Sequence, residues 1–257
     1  MHVAKTGLNS QQIKMQVIAN NLANVNTTGF KSDRTNFESL LYQVLRGAGE
    51  NTSENTSLAS GLSVGTGTRL LNTSKMHSQG SLINTGNSLD ISIEGDGFFQ
   101  ILMPDGQIGY TRSGAFMRNS EGTVVTPSGY PLQPEIQIPA DTSKITVASD
   151  GLVTVQTPGN VDAQEVGQIT LADFVNRQGL QPNGESMFVE TPASGAPIIA
   201  NPFAEGMGRV VQGSLESSNV NVVQELVDMI ETQRAYEVSS KTITSVDEMM
   251  RFIAQNI

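Results

Sequence analysis

The residues that could support catalysis are few and lie far apart in the chain. The two histidines, His2 and His77, have no neighbour at metal-ligand spacing, and the serine beside His77 favours a surface position over a general base. Gly95-Asp96-Gly97 is part of a nucleotide-binding fingerprint, but strand-like residues follow it instead of a helix, so a β-turn is favoured. No serine lies in a nucleophile-elbow motif. The chain is therefore not expected to be an enzyme.

A metal centre is also disfavoured. A loose acidic cluster could bind a cation weakly, but it lacks the alternation of a calcium loop and is better explained as solvated turn carboxylates; its members are Asp90, Glu94, Asp96 and Asp105. The absence of cysteine excludes disulfides, zinc–thiolate sites and thiol catalysis. We expect no metal and no cofactor.

Composition excludes further classes of protein. The chain has 257 residues, a formal net charge of -10 and no cluster of basic residues, so a nucleic-acid partner is not expected. The first residues become polar by Asn9, too early for the apolar core of a cleaved secretory signal. No apolar stretch reaches the roughly 18 residues of a membrane span, so no direct membrane insertion is expected.

The C-terminal stretch, residues 219–257, predicts one long amphipathic helix. It contains neither proline nor glycine, and Asn221 with Gln224 has capping-box spacing. Apolar residues recur every seven places, with others at three- or four-residue offsets; the repeat consists of Val222, Met229, Tyr236, Ile243, Met250 and Ile257, and the offset residues are Leu226, Val246 and Ile253. Such a repeat produces one seam along a helix and is typical of coiled coils.

Residues 3–25 predict a second helix of the same kind. Leu8, Met15 and Leu22 are spaced by seven, with Ile18 and Val25 beside them. Thr27-Thr28-Gly29 is expected to end this helix, with Gly29 adopting the positive φ of a C-terminal cap.

Each helix carries a further apolar row, which pairing the two helices with each other does not cover. These rows consist of Ile13 and Val17 in the first helix, and Val223, Val227, Ile230 and Val238 in the last. They favour self-association of several copies. The alternative is that both helices cover the chain's own β domain, and periodicity alone leaves both open.

The stretch after the first helix is ambiguous. Thr35 and Glu38 have capping-box spacing ahead of apolar residues, so residues 35–47 form either a short third helix or a buried extended segment. Residues 47–68 are rich in Gly, Ser, Thr and Asn and predict a long loop or extended connector, ordered by a neighbouring molecule.

Between residues 75 and 213 the helical period disappears. Short apolar segments alternate with Gly-containing turns such as Asp150-Gly151. This pattern predicts an antiparallel barrel or sandwich. The expected fold class is α+β, with long N- and C-terminal helices that pair as a coiled coil and a central all-β domain.

Two terminal segments and two central ones resemble a known family. ANNLANVNTTGFK (residues 19–31) is similar to the N-terminal signature of the flagellar axial proteins, the rod and hook subunits. SSNVNVVQELVDMIETQRAYEVSSK, within residues 216–250, is similar to their C-terminal signature, and GDGFFQI and YTRSGAF to their central strands. The resemblance spans nearly the whole chain, although a few residues that the family has before Val3 are missing.

The resemblance implies a non-enzymatic structural subunit that polymerises helically into a rigid hollow drive shaft. It implies an assembly domain of residues 1–46 plus 214–257, a connector of residues 47–74 and an outer β domain of residues 75–213. Length and connector favour the distal rod over a proximal rod or hook subunit. A rival from a different class is a carbohydrate-binding β protein with a coiled-coil stalk, but few aromatic residues are available for its sugar platform.

The family also implies partners and location. The expected partners are further copies of the chain, proximal rod and hook proteins, the surrounding P-ring and L-ring proteins, the rod cap during assembly and the flagellar type III export apparatus. The expected location is the basal body, where the rod crosses the periplasm, reached without a cleaved signal peptide.

The assembly prediction involves two sets of residues. The expected interface consists of Leu8, Met15, Ile18, Leu22, Val25, Val222, Leu226, Met229, Ile230, Tyr236, Ile243, Val246, Met250 and Ile253. The expected rod-type connector includes Gly47, Glu50, Asn51, Glu54, Asn55, Leu58 and Gly61.

Overall fold

The computed structural model describes residues 2–48, 51–53, 56–57, 60–158 and 163–255. The chain divides into two compact units: a helical unit of Met1–Ala23, Asp33–Ser74 and Asn221–Ile257, and a β unit of Asn24–Ser32 and Lys75–Val220. The predicted combination of terminal helices and a central, mostly β domain is confirmed. Residues 24–32 and 214–220 cluster with the β unit, whereas residues 33–74 cluster with the helical unit. The functional division into assembly, connector and outer domains stays a prediction.

The described part of the helical unit contains two helices and six strands. The helices are α1 (His2–Ala23) and α2 (Val222–Gln255), and the strands are β1 (Asp33–Ser39), β2 (Tyr42–Arg46), β3 (Asn51–Ser53), β4 (Thr56–Ser57), β5 (Leu62–Gly65) and β6 (Thr68–Lys75). Helix α1 packs against α2. The strands pair as β1 with β6, β2 with β5, and β3 with β4.

Asn221 caps α2 as its position predicts. Its Oδ1 accepts hydrogen bonds from the backbone N–H groups of Val223, at 3.1 Å, and Gln224, at 3.3 Å. The second half of the capping box does not form, because the Gln224 side chain donates forward to Asp228, at 3.4 Å.

The predicted end of α1 is wrong. The helix stops at Ala23, so Val25 lies beyond it, in the β unit. Gly29 has a φ of 67°, but its conformation serves a close approach rather than a helix cap. A Cβ there would lie 2.4 Å from the backbone nitrogen of Ser113.

The alternative of a short third helix is wrong; the segment is extended, as the other alternative predicted, but its second part, β2, is exposed rather than buried. Residues 33–39 and 42–46 are strands β1 and β2. The Asn36 amide donates across to Asn72 Oδ1, at 2.8 Å, and Glu38 forms an ion pair with Arg69, so contacts with β6 outweigh the local capping pattern.

The connector region has more regular structure than a loop, because β3, β4 and β5 all begin within it. Gly47, Asn51 and Gly61 are described there; the predicted connector residues Glu50, Glu54, Asn55 and Leu58 lie outside the described residues.

The β unit contains sixteen described strands and one short 3₁₀ turn. The strands are β7 (Leu82–Asn84), β8 (Ile91–Glu94), β9 (Phe98–Leu102), β10 (Ile108–Thr111), β11 (Met117–Arg118), β12 (Val124–Val125), β13 (Leu132–Gln133), β14 (Lys144–Val147), β15 (Leu152–Gln156), β16 (Gln164–Gln168), β17 (Leu171–Asp173), β18 (Gln181–Gly184), β19 (Met187–Val189), β20 (Ile198–Ala200), β21 (Arg209–Gln212) and β22 (Ser214–Glu216), and the turn is Arg177–Gly179.

The largest sheet has the order β18-β19-β10-β9-β17-β20, with β13 also paired to β9, and β14-β15-β16 form a separate sheet. Within the described residues no sheet closes into a barrel. Strand β9 is central and is buried on both sides. Phe99 and Ile101 enter the larger hydrophobic cluster, whereas Phe98 enters a smaller one with Tyr110 and Phe174.

Candidate assembly surface

The contact between α1 and α2 includes polar groups. Asn21 is buried, and its Nδ2 donates to Glu225 Oε1 at 3.1 Å and to the backbone oxygen of Asp33 at 3.0 Å. Within the described part of α2, Thr232 is the one fully buried residue. Burial raises the pKa of Glu225 above its ordinary value, while the bond from Asn21 opposes that shift. The large apolar residues of α2 are therefore not fully buried by its contact with α1.

Many apolar side chains of α2 are exposed. Val223 is 71% exposed and Val238 67% exposed. The same holds for Val227, Ile230, Met249 and Phe252. A monomeric protein rarely leaves a continuous apolar stripe in water, so this face is a candidate surface for contact with another molecule.

The predicted interface residues fall into two groups. Buried or half-buried are Leu8, Met15, Ile18, Leu22, Val25, Met229, Ile243 and Val246. Exposed are Val222, Leu226, Ile230, Tyr236, Met250 and Ile253. The exposed group is available to a second molecule.

The two-stranded ribbon formed by β2 and β5 is a further exposed apolar surface. Tyr42 is 62% exposed and Val44 64% exposed, while Leu45, Leu62 and Val64 are also exposed. Tyr42 and Val44 share one face, and Val64 lies on the other, opposite Gln43. A two-stranded ribbon with apolar residues on both faces is marginal in water by itself.

The β unit contains a buried charge cluster that sequence reasoning missed. Lys31 Nζ donates to Glu216 Oε1, at 2.6 Å, and to the Ser78 backbone oxygen, at 2.8 Å. Arg112 Nη1 lies 3.4 Å from Glu216 Oε2, and the Gly80 N–H donates to Glu216 Oε1 at 2.9 Å. Burial lowers the pKa of both cations, and the charge of Glu216 opposes that shift.

Backbone and amide bonds join the same segments. The Gly29 N–H donates to the Glu216 backbone oxygen, at 2.8 Å. Asn219 accepts from the Ser32 N–H, at 2.8 Å, and donates to the Met76 backbone oxygen, at 2.7 Å. Lys31 is the last residue of the N-terminal signature, and Glu216 is the first of the C-terminal one. Their positions at the inner ends of the two signatures are the sequence signal that could have indicated this ion pair.

The prediction that His77 is a surface residue is wrong. Both ring nitrogens are buried, and the ring lies edge-to-face against Phe98 and Phe188, at centroid distances of 5.7 and 5.5 Å. Burial, followed by the positive charge of Lys31, lowers the pKa of His77 to about 4. The ring is therefore neutral at physiological pH.

The four carboxylates of the acidic cluster are bound to separate partners. Asp96 pairs with Arg177, at 2.6 Å, and Glu94 accepts from Arg209, at 2.7 Å. Asp105 bonds the backbone of its own turn, and Asp90 accepts from the Thr85 hydroxyl at 2.6 Å, so Asp90 is a buried turn carboxylate rather than a solvated one.

Both described helices are too polar along their length to qualify as membrane-spanning segments.

Comparison with known proteins identifies the family. Residues 1–31 match the flagella basal body rod protein family, residues 92–155 the flagellar hook protein FlgE/F/G D1 domain, and residues 211–256 the flagellar basal body rod FlgEFG protein C-terminal domain. The flagellar basal-body rod protein FlgG of Buchnera aphidicola subsp. Acyrthosiphon pisum is 49% identical, with 98% of this chain and 97% of the relative covered. The chain belongs to the FlgG family of flagellar basal-body rod proteins.

More distant members agree over the same length. FlgG of Agrobacterium fabrum is 44% identical, covering 99% of this chain and 98% of the relative. FlgG of Bacillus subtilis is 37% identical, covering 96% and 94%. As a member of the FlgG family, the chain is a structural subunit of the flagellar basal body.

Proposed function

We propose that this FlgG-family subunit builds the distal rod as a helical, hollow polymer and transmits torque to the hook through it. The observation that carries this proposal is the exposed apolar face of α2, which includes Val223 and Val238. The alternative is that this face is simply a solvated helix surface. Such a surface carries mainly polar side chains, so the alternative does not account for the exposed valines.

In this proposal α1 and α2 pair as a coiled coil within each copy, and their exposed rows meet the helices of neighbouring copies. The half-buried group that includes Met229 and Ile243 supports the first contact. The exposed group that includes Leu226 and Ile230 supports the second.

The energetics favour assembly at the end of an existing polymer. Fixing the backbone of a free terminus costs roughly 1–2 kcal/mol per residue. Complete burial of an apolar side chain contributes roughly 1.5–3 kcal/mol. Because one copy leaves much of α2 uncovered, the helices gain enough burial only where several copies meet. We therefore expect α1 and α2 to be disordered in the free subunit.

The partners of this polymer are the proximal rod, the hook, the P-ring and L-ring proteins and, during assembly, the rod cap. Export through the type III apparatus would bring the subunit to a rod that crosses the periplasm. Family membership supports these assignments. The length and the connector favour the distal rod over the hook.

The test replaces two exposed apolar residues that do not support the α1–α2 contact. Val223→Asp with Val238→Asp places two charges on the exposed face, so electron microscopy of the purified protein should show no tubes. A matched control, Gln107→Asp with Ser120→Asp, adds the same charge at exposed turns of the β unit and should assemble normally. Straight hollow tubes from the helix variant would contradict the proposal.

A further inference from the structure

The segments of the β unit that adjoin the two helices are bound to each other. Residue 24 follows the last residue of α1, and Val220 lies two residues before α2 begins. Between these points, the Gly29 N–H donates to the Glu216 backbone oxygen and the Ser32 N–H to Asn219, each at 2.8 Å. The chain thus leaves the β unit toward both helices from neighbouring segments.

The contacts between these segments belong entirely to the β unit. Lys31 is 1% exposed, and its partner Glu216 is also 1% exposed. Gly29 lies so close to Ser113 that a side chain is excluded, and the Thr28 hydroxyl is 3.3 Å from that of Ser113. None of these bonds requires a residue of α1 or α2.

We propose that residues 24–32 and 214–220 form a clasp that closes in the free subunit before α1 and α2 fold. The inference rests on the proposed function, in which the helices order only on assembly. A closed clasp holds the starts of two disordered segments together, so their later pairing is intramolecular. It also directs α1 to the α2 of its own copy and disfavours exchange of helices between copies.

Hydrogen exchange of the full chain in dilute solution tests the order of events. The amides of Gly29 and Ser32, which are hydrogen-bonded within the clasp, should exchange about 100-fold or more slowly than those of unstructured peptides. Amides of residues 8–22 and 226–250 should exchange freely. Clasp amides that exchange as fast as free peptides would overturn the clasp without touching the assembly proposal. Protected helices with a protected clasp would instead overturn the proposed disorder of the helices, and with it the order of folding inferred here.

Two variants separate the clasp from global stability. Asn219→Ala removes bonds to Ser32 and Met76 without leaving a charge buried, so protection at Ser32 should fall about 10-fold while amides of β9 stay protected. Glu94→Gln, which loses only an exposed ion pair, is the control and should leave Ser32 unchanged. Equal effects of the two variants at Ser32 would contradict the clasp.

A disulfide asks whether residues 24–32 must leave the rest of the β unit for assembly. The chain has no cysteine, so Thr28→Cys with Ser113→Cys introduces a single pair at positions whose hydroxyls are 3.3 Å apart. The reduced monomer should form the bond readily, and the oxidised monomer should assemble within about twofold of the reduced rate, because residues 24–32 are already docked on the β unit. Assembly that occurs only after reduction would overturn the proposal.

Discussion

At the scale of single residues, Lys31 and Arg112 are buried cations that depend on one carboxylate, Glu216. Removing two cations from water is costly, and the cost is recovered only when the remaining donors and acceptors are paired. The Gly80 N–H and the Ser78 backbone oxygen supply that pairing. Substituting any one charged member of the cluster therefore leaves another buried charge without its partner.

Glu216→Gln should therefore lower the free energy of unfolding of the β unit by about 3–5 kcal/mol, since it leaves Lys31 and Arg112 buried without a counter-charge. Urea denaturation measures this change. Glu94→Gln, whose ion pair with Arg209 is about half exposed, should cost about 1 kcal/mol or less. Equal losses from the two substitutions would show that the buried cluster is not the stronger contact.

His77 should make the β unit sensitive to acid. Its pKa in the folded chain is about 4, below the ordinary 6.5. Between these two pH values the unfolded chain therefore binds a proton at His77, whereas the folded chain does not. The stability associated with neutral His77 is complete above pH 6.5 and is lost as the pH falls toward 4, by up to about 1.4 kcal/mol per pH unit.

His77→Leu should remove this part of the acid sensitivity. Thermal unfolding at pH 7 and pH 5 should show a smaller loss for the variant than for the parent chain. His2→Leu, which replaces an exposed ring, is the matched control and should keep the parental dependence. If His77→Leu and His2→Leu behave alike, the buried imidazole is not the titrating group.

A substitution in the turn between β18 and β19 should stabilise the folded chain. Glu185 and Ser186 have φ values of 50° and 57°, a conformation that glycine adopts more easily than other residues. Ser186→Gly should raise the free energy of unfolding by about 0.5–1 kcal/mol. The same change at Ser120, which is not among the residues with positive φ, should give no gain, and chemical denaturation distinguishes the two.

At the scale of elements, the ribbon of β2 and β5 can be separated from the connector that joins its strands. Arg46 and Leu62 are directly paired across the ribbon. A two-residue Asn-Gly turn is therefore the natural replacement for residues 47–61. This replacement preserves the ribbon's register while removing the segment proposed to contact neighbouring subunits.

We propose that the connector contacts neighbouring copies and fixes their relative positions, so the shortened chain should assemble into tubes that are curved and more flexible. Persistence length measured from electron micrographs reports this change. A chain with residues 47–61 replaced by a Gly/Ser segment of equal length is the control for spacing and should be flexible too. Straight, stiff rods from the shortened chain would contradict the role of the connector.

At the scale of the whole molecule, local patterns predicted the elements whose causes are local. The seven-residue repeat predicted α2, and Asn221 predicted its cap. The third-helix alternative failed because Asn36 pairs with Asn72, a partner 36 residues away. Periodicity carries no information about a partner strand that distant.

The buried sites were missed for the same reason. His77 is covered by Phe98 and Phe188, which come from two different strands, so its neighbours in sequence gave no sign of burial. Lys31 and Glu216 are separated by 185 residues, and each alone looks like an ordinary surface charge. The division of the predicted interface into covered and exposed groups likewise required the packing of α1 against α2.

The separation between Lys31 and Glu216 also bears on how the molecule matures. Any machine that delivers the polypeptide N-terminus first, whether a ribosome or a secretion channel, presents the lysine long before its carboxylate. Until residue 216 emerges, burying Lys31 and Arg112 would leave their positive charges without a counter-charge. Folding of a partly delivered β unit is therefore unfavourable. We therefore expect the chain to stay unfolded until residue 216 has emerged.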